Sequence, residues 1–307
     1  MKILLAIDSS ALSEMVVTEL ESRLWPPQTE VRVLTVIDLF ALTSSVGYLE
    51  PFIKSENDAA KAFVHAAAER LTRGGFIATG MAVEGYPGTS IVEEAEKWDA
   101  DLIMAGSHGH SGFVRFLLGS IAKAVVQNAA CSVEIVRDHG DDKEARQPES
   151  ASAAPEGLRL LLATDGSEYS KAAAHSIASR PWHAGSQIRI VSVVEPLMPA
   201  TDPWFASGAI TATVIEENAR KSRDAVEAAR EIISRTGITI ETAVVDGIPK
   251  KRIVELARDW RANLIVVGSH GRRGVLRYLL GSVSEAVAMQ AHCSVEVIRD
   301  RALLGTA

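Results

Sequence analysis

The stretch Leu102-Ile103-Met104-Ala105-Gly106-Ser107-His108-Gly109, followed after nine residues by Gly119-Ser120, decides the reading of this chain because it occurs twice. Its copy runs Leu264-Ile265-Val266-Val267-Gly268-Ser269-His270-Gly271, again nine residues, then Gly281-Ser282. A short apolar run that breaks into Gly-x-x-Gly reads as a buried strand entering a loop, and a Gly-Ser pair before a new apolar pattern reads as a helix start. Glycines let backbone N–H groups approach an anion with no Cβ in the way, and a serine opening a helix adds a hydroxyl beside its positive end. The spacing therefore points to a phosphate-bearing ligand as well as to alternating strands and helices. It is not a Walker loop, which needs Gly-Lys-Ser/Thr four residues after a glycine, nor is it Gly-x-Gly-x-x-Gly.

Working outward, Asp8 aligns with Asp165, Trp25 with Trp182 and Val36 with Val193 at an offset of 157, and Pro87 with Pro249 and Trp98 with Trp260 at 162. A five-residue insertion separates the two registers. Between Asp101–Asp138 and Asn263–Asp300, 21 of 38 paired positions are identical, which only duplication explains. Residues 139–157 are rich in Ala, Ser, Glu and Asp and nearly free of large apolar side chains, so they cannot bury enough to fold and are read as a linker. The domains are then 1–138 and 158–307, a repeat far longer than a solenoid unit.

Each copy alternates strand and helix. Ile3–Ile7 and Leu160–Ala163, then Val31–Ile37 and Ile188–Val194, are apolar runs of the buried parallel type. Ser10–Arg23 and Ser167–Ser179 carry helical periodicity behind a capping residue. Strands follow at Phe76–Glu84 and Ile238–Asp246, helices at Thr89–Trp98 and Lys250–Trp260, then the strands quoted above. A helix from the Gly-Ser pair and a last strand, Ser132–Val136 or Ser294–Ile298, close each copy. The expected fold class is α/β: two tandem, doubly wound, parallel five-stranded sheets of strand order 3-2-1-4-5. Leu39–Glu56 and Pro196–Val214, poor in helical pattern, are read as long lid-like or partner-facing loops.

With 307 residues, 47% of them hydrophobic, there is enough apolar material for two cores of ordinary size. A net charge of -7 argues against sequence-independent binding of nucleic acid, which needs a concentrated basic face. Cys131 and Cys293 occupy matching places and read as small buried residues of a reducing cytoplasm rather than as a bridge. Neither a signal peptide nor a membrane-spanning run is expected.

In an open parallel sheet, ligands gather beyond the carboxyl ends of the strands where the order reverses. With order 3-2-1-4-5, the ends of the first strand (Asp8, Asp165) and of the fourth (Gly106, Gly268) flank that reversal. The acid and the glycine loop should then share one crevice. Gly-x-x-Gly can present successive N–H groups as an anion nest, with Gly119-Ser120 or Gly281-Ser282 bringing a helix start to the same phosphates.

On these residues the halves resemble universal stress proteins, in particular the nucleotide-binding branch with Gly-x-x-Gly, nine residues and Gly-Ser/Thr. The resemblance implies an adenine nucleotide alpha hydrolase-like sheet with ATP, together with Mg, across the strand ends. Asp8 and Asp165 would then lie near the nucleoside or its metal, and the backbones of Val36 and Val193 would hold adenine. Gly106, Gly109, Gly119 and Ser120, with Gly268, Gly271, Gly281 and Ser282, would wrap ribose and phosphates. Ser284 and Arg272 would add a hydroxyl and a charge to the second site alone, since the first has Ala122 and His110 there. The resemblance also implies that the last strands pair the two copies as a pseudo-dimer, a homodimer being the alternative. In that arrangement Glu134 and Glu296 are expected to discourage further edge-to-edge addition.

Plainer roles stand beside these. Asp8 and Asp165 can cap the helices that follow, His108 and His270 can serve hydrogen bonding, and Arg115 and Arg277 can brace the loop as well as reach phosphate. A base that orients water, or a nucleophile with its own base, is not evident. A cytoplasmic stress-response protein whose output is a binding event is the first reading. A slow ATPase or nucleotidyl-transferring enzyme and a nucleotide-free interaction module are its rivals.

Overall fold

The computed structural model describes residues 1–38, 50–108, 118–138, 157–196, 208–271 and 280–304. Two compact units divide the chain, Met1–Ala145 and Arg146–Ala307. The first contains β1 (Lys2–Ala6), α1 (Ala11–Glu21), β2 (Glu30–Ile37), α2 (Glu50–Arg73), β3 (Ile77–Glu84), α3 (Pro87–Trp98), β4 (Leu102–Gly106), α4 (Ser120–Asn128) and β5 (Ser132–Val136). The second repeats the order with β6 (Arg159–Ala163), α5 (Glu168–Ala178), β7 (Gln187–Val194), α6 (Gly208–Ile233), β8 (Thr239–Asp246), α7 (Pro249–Asp259), β9 (Leu264–Gly268), α8 (Ser282–Gln290) and β10 (Ser294–Ile298). A short α9 (Arg301–Leu304) follows.

Within the first unit the strands lie in the order β3-β2-β1-β4-β5, and within the second β8-β7-β6-β9-β10, so both follow the expected 3-2-1-4-5. The pairs β1–β2, β1–β4, β2–β3 and β4–β5 are parallel, as are their four counterparts. The inner strands β1, β4 and β5, like β6, β9 and β10, are buried in nearly continuous runs because helices cover both faces, whereas the outer β3 and β8 are exposed or half-buried along their length. Ile3 and Leu5 of β1 point with Leu102 and Met104 of β4 into a core closed by Val16 and Leu20 of α1 and by Val64 and Leu71 of α2. The intervening Leu4 and Ile103 are buried too, and strand periodicity turns them to the other face. Leu160, Leu162, Ala173, Ile177, Val226 and Ile233 repeat the first core in the second unit.

Two expectations change. α2 starts at Glu50 and α6 at Gly208, so the ends of the stretches read as loops, 50–56 and 208–214, are helical. Among the described side chains of both helices burial begins late, at Val64 in α2 and at Ser222 in α6, and Val214 and Ile215 are exposed, so little apolar period marks their beginnings. The rest of those loops, 39–49 and 197–207, and the linker 139–156 lie outside the described residues. Cys131 and Cys293 are buried free thiols, as their matching places suggested.

Candidate functional site

β1 stops two residues before Asp8, and the chain turns straight into α1 around that carboxylate. Oδ1 of Asp8 accepts from the Ser10 N–H at 3.0 Å, from the Ser13 hydroxyl at 2.8 Å and from the Ser10 hydroxyl. The Asp8 N–H in turn donates to Ser13 Oγ at 2.7 Å. One oxygen therefore braces the turn that enters α1, while the N-cap position itself is Ser10 and takes no side-chain cap bond.

The second copy solves the same turn differently. Oδ1 of Asp165 accepts the Ser167 N–H at 3.0 Å, and Ser167 caps α5 by accepting the Ser170 N–H at 3.2 Å. Gly166 stands at φ +79, which a residue with a Cβ rarely adopts, where the first copy has Ser9. Oδ2 of Asp165 lies 2.8 Å from the place a Cβ on Gly271 would occupy. The Ser167 hydroxyl faces the His270 carbonyl at 3.5 Å. In the second domain the acid beyond the first strand and the entry of the glycine turn beyond the fourth are thus neighbours, as the strand order requires.

Both ends of the motif close on each other. The Gly119 N–H donates to the Ser107 carbonyl at 2.8 Å, and the Gly281 N–H to the Ser269 carbonyl at 2.8 Å. Each bond pins the start of α4 or α8 to the entry of its own glycine loop. Ser120 and Ser282, the first residues of those helices, are exposed there, at the end where unpaired N–H groups and the helix dipole favour an anion.

Val36 and Val193 occupy the stretch where the second strand outruns the first. β1 ends with Ala6 opposite Leu34, and the Ile7 N–H donates to the Leu34 carbonyl at 2.9 Å. Peptide groups two residues apart point to the same side of a strand. The N–H and C=O of Val36 therefore face the side on which β1 has already ended. Thr164 N–H donating to the Val191 carbonyl at 2.9 Å places Val193 in the same way. A donor–acceptor pair at that level suits the edge of a planar heterocycle.

Not every expected residue faces the crevice. Ser284 is buried and its hydroxyl donates to the Gly268 carbonyl at 2.6 Å, so it ties α8 to β9 and is not presented to a ligand. Gly268 is demanded by packing: a Cβ there would stand 2.6 Å from the Tyr169 carbonyl group, against 3.4 Å from its nearest neighbours for Gly106. Gly109, Arg272, Arg115 and Arg277 lie outside the described residues.

His108 and His270 play a hydrogen-bonding part, with Nδ1 at 3.0 Å from Ser107 Oγ and 3.1 Å from Ser269 Oγ respectively. Burial, and after it the Arg137 charge, hold the His108 imidazole below its ordinary pKa, so the neutral ring is favoured. Among the described residues no cluster of three His, Cys, Asp or Glu side chains could hold a metal ion.

Glu134 and Glu296 require a correction. Both are buried rather than standing as charges on an open edge. Arg23 donates to the two oxygens of Glu134 at 2.7 Å each and to Glu19 at 2.6 Å. Arg180 donates to the two oxygens of Glu296 at 2.8 and 2.7 Å, with Ser176 in the place of Glu19. Each last strand is thereby held to the first helix of its domain by a buried ion pair. The signal was present in the sequence as an arginine repeated at the offset of 157 and a glutamate repeated at 162.

Comparison with known proteins agrees with this architecture. The profile of the universal stress protein family matches residues 1–137 and again 158–299, and the chain belongs to that family. A universal stress protein of Methanocaldococcus jannaschii is 32% identical over 145 residues, covering 46% of this chain and 81% of that protein. One from Mycobacterium bovis is 31% identical over 210 residues, covering 66% of this chain and 62% of its own length. One from Mycolicibacterium smegmatis is 26% identical over 309 residues, covering 97% of both. The crystal structure of a universal stress protein from Archaeoglobus fulgidus shares the fold with a TM-score of 0.61 at 22% identity, covering 97% of this chain and 96% of that one.

Proposed function

We propose that each domain binds an adenine nucleotide, ATP with Mg, and that the chain acts as a nucleotide-dependent regulatory protein of the stress response in the cytoplasm. One juxtaposition carries the proposal: Asp165 Oδ2 faces Gly271 while the Gly281 N–H is fastened to the Ser269 carbonyl. Acid, glycine turn and the helix start at Ser282 therefore converge beyond the carboxyl ends of β6 and β9. In this reading the phosphates lie on the α4 and α8 N-termini, adenine pairs with the backbone edge of Val36 or Val193, and Mg rides on the phosphates beside Asp8 or Asp165. Gly119 and Ser120 do in the first domain what Gly281 and Ser282 do in the second, Gly106 and Gly268 bring the strand end to that place, and Gly109, Gly271 and Arg272 complete the cradle.

The second site is proposed as the stronger one. The second copy carries Asp165-Gly166-Ser167 and the pair Arg272-Arg273 after its glycine turn, where the first has Asp8-Ser9-Ser10 and His110-Ser111, and it brings more positive charge to an anion. The serine hydroxyls that meet an imidazole, those of Ser107 and Ser269, are buried, and binding rather than turnover is the proposed output. Pairing of the two copies through β5 and β10 within one chain belongs to the same proposal. It predicts a monomer at high salt, and a dimer that survives high salt would favour pairing between chains.

Calorimetry with ATP and Mg tests the central claim. Two unequal sites are expected, and Gly271→Val should remove the second while leaving the circular dichroism spectrum unchanged. No binding heat, together with no adenine nucleotide released from freshly purified protein, would leave the interaction module as the reading. Turnover well above the uncatalysed rate would promote the enzyme.

A further inference from the structure

Duplication has left the two domains with one helix of opposite charge. Residues 249–261, α7 and its cap, carry Lys250, Lys251, Arg252, Arg258 and Arg261 against Glu255 and Asp259, a net +3. The matching residues 87–99, α3 and its cap, carry Glu93, Glu94, Glu96 and Asp99 against Lys97, a net -3. In a chain whose total charge is -7, a helix of net +3 is a local departure.

The charges sit on outer faces. α7 buries Ile253, Val254 and Ala257, and α3 buries Ile91, Val92 and Ala95. Lys251, Glu255 and Arg258 recur at helical spacing on an exposed flank of α7, while Glu93 and Glu96 stand on the equivalent exposed flank of α3. Arg252 pairs with Glu255 at 3.1 Å and Lys97 with Glu94 at 2.9 Å. The side chains of Lys250, Lys251, Arg258 and Arg261 make no ion pair or hydrogen bond with any described residue, and that of Glu96 makes none either.

Several of these charges oppose the dipole of their own helix. Lys250, Lys251 and Arg252 occupy the first turn of α7, the positive end, with no acidic residue in that turn. Glu96 and the cap residue Asp99 occupy the negative end of α3. Antiparallel apposition of the two helices relieves both conflicts, bringing Lys251 toward Glu96 and Asp99, and Arg258 toward Glu93.

We infer that the basic flank of α7 is a docking surface for a second copy of this chain, which presents the acidic flank of its α3. Two helix flanks bury less than the roughly 1,200 Å² typical of a stable interface, so the association is weak and depends on the complementary charges. It is independent of the nucleotide proposal.

Sedimentation velocity of the full chain, without nucleotide, at about 0.02 M and about 0.5 M salt tests the inference. Association is expected at low salt and should weaken at least about tenfold at high salt, where the screening length falls below the reach of exposed pairs. Lys251→Glu with Arg258→Glu should abolish it, Glu93→Lys with Glu96→Lys should do the same, and the four substitutions together should restore it. If a reversal unfolds the chain, the neutral pair Lys251→Gln and Arg258→Gln asks the same question. A chain monomeric at low salt, an association indifferent to either reversal, or failure of the fourfold variant to recover overturns the inference. Binding of a polyglutamate peptide to the basic flank without self-association overturns it too, and assigns that flank to a foreign acidic partner.

Discussion

Replacing Gly268 with Ala, set against the same change at Gly106, asks whether a glycine of the motif serves the ligand or the packing. A Cβ on Gly268 would lie 2.6 Å from both the carbonyl carbon and oxygen of Tyr169 and 2.9 Å from the Ser170 nitrogen. All are backbone atoms of the first turn of α5, so no side chain can swing away. The end of β9 must separate from α5 by about 0.8 Å to reach ordinary contact. Overpacking of that kind costs about 1–3 kcal/mol, which for a domain of this size lowers Tm by roughly 2–4 °C per kcal/mol. At Gly106 the nearest atoms stand at 3.4 Å, ordinary van der Waals contact, and Ala should change stability by less than about 0.5 kcal/mol. Differential scanning calorimetry of the full chain reads both. Because α5 begins with the turn that holds Asp165 and Ser167, Gly268→Ala should also weaken nucleotide binding at the second site alone. Equal effects at the two positions, or a stabilised Gly268→Ala, would refute the packing argument.

The buried ion pairs and the histidine give further tests. Arg180→Ala strands the Glu296 carboxylate, 1% exposed, without its guanidinium and should cost about 3–5 kcal/mol in urea unfolding, whereas Arg180→Leu combined with Glu296→Leu should recover most of it. A single variant as stable as the parent would show that the pair is not held as described. For His108, the folded chain depresses the pKa, so the unfolded chain binds more protons between the two values and stability rises with pH there. Stability should therefore fall as pH drops below the unfolded value of about 6.5, and His108→Gln should flatten that dependence in unfolding curves between about pH 7 and pH 5. An unchanged slope would mean that the ring titrates as it does in the open chain.

The first strands and the Gly-Ser helix starts were legible because each is local: a run of apolar residues, a helix that needs an N-terminus. Duplication then supplied an internal check, since Asp8 and Asp165 or Gly119 and Gly281 could be compared in two contexts. Helix starts at Glu50 and Gly208 were not legible, because the stretches around them show no sustained apolar period and helix propensity alone is a weak guide.

By itself the sequence determined two parallel α/β domains of order 3-2-1-4-5, and with that order the strand ends at which a site is proposed. Tertiary structure alone decided which member of each motif faces that space. Ser284 turns inward to the Gly268 carbonyl, Gly268 is there for a neighbouring backbone, and the charges of Glu134 and Glu296 are consumed by arginines 111 and 116 residues away. The physical reason is range. Strand and helix periods act between near neighbours, whereas a hydrogen bond or a steric contact between residues a hundred positions apart exists only after the sheet has brought them together.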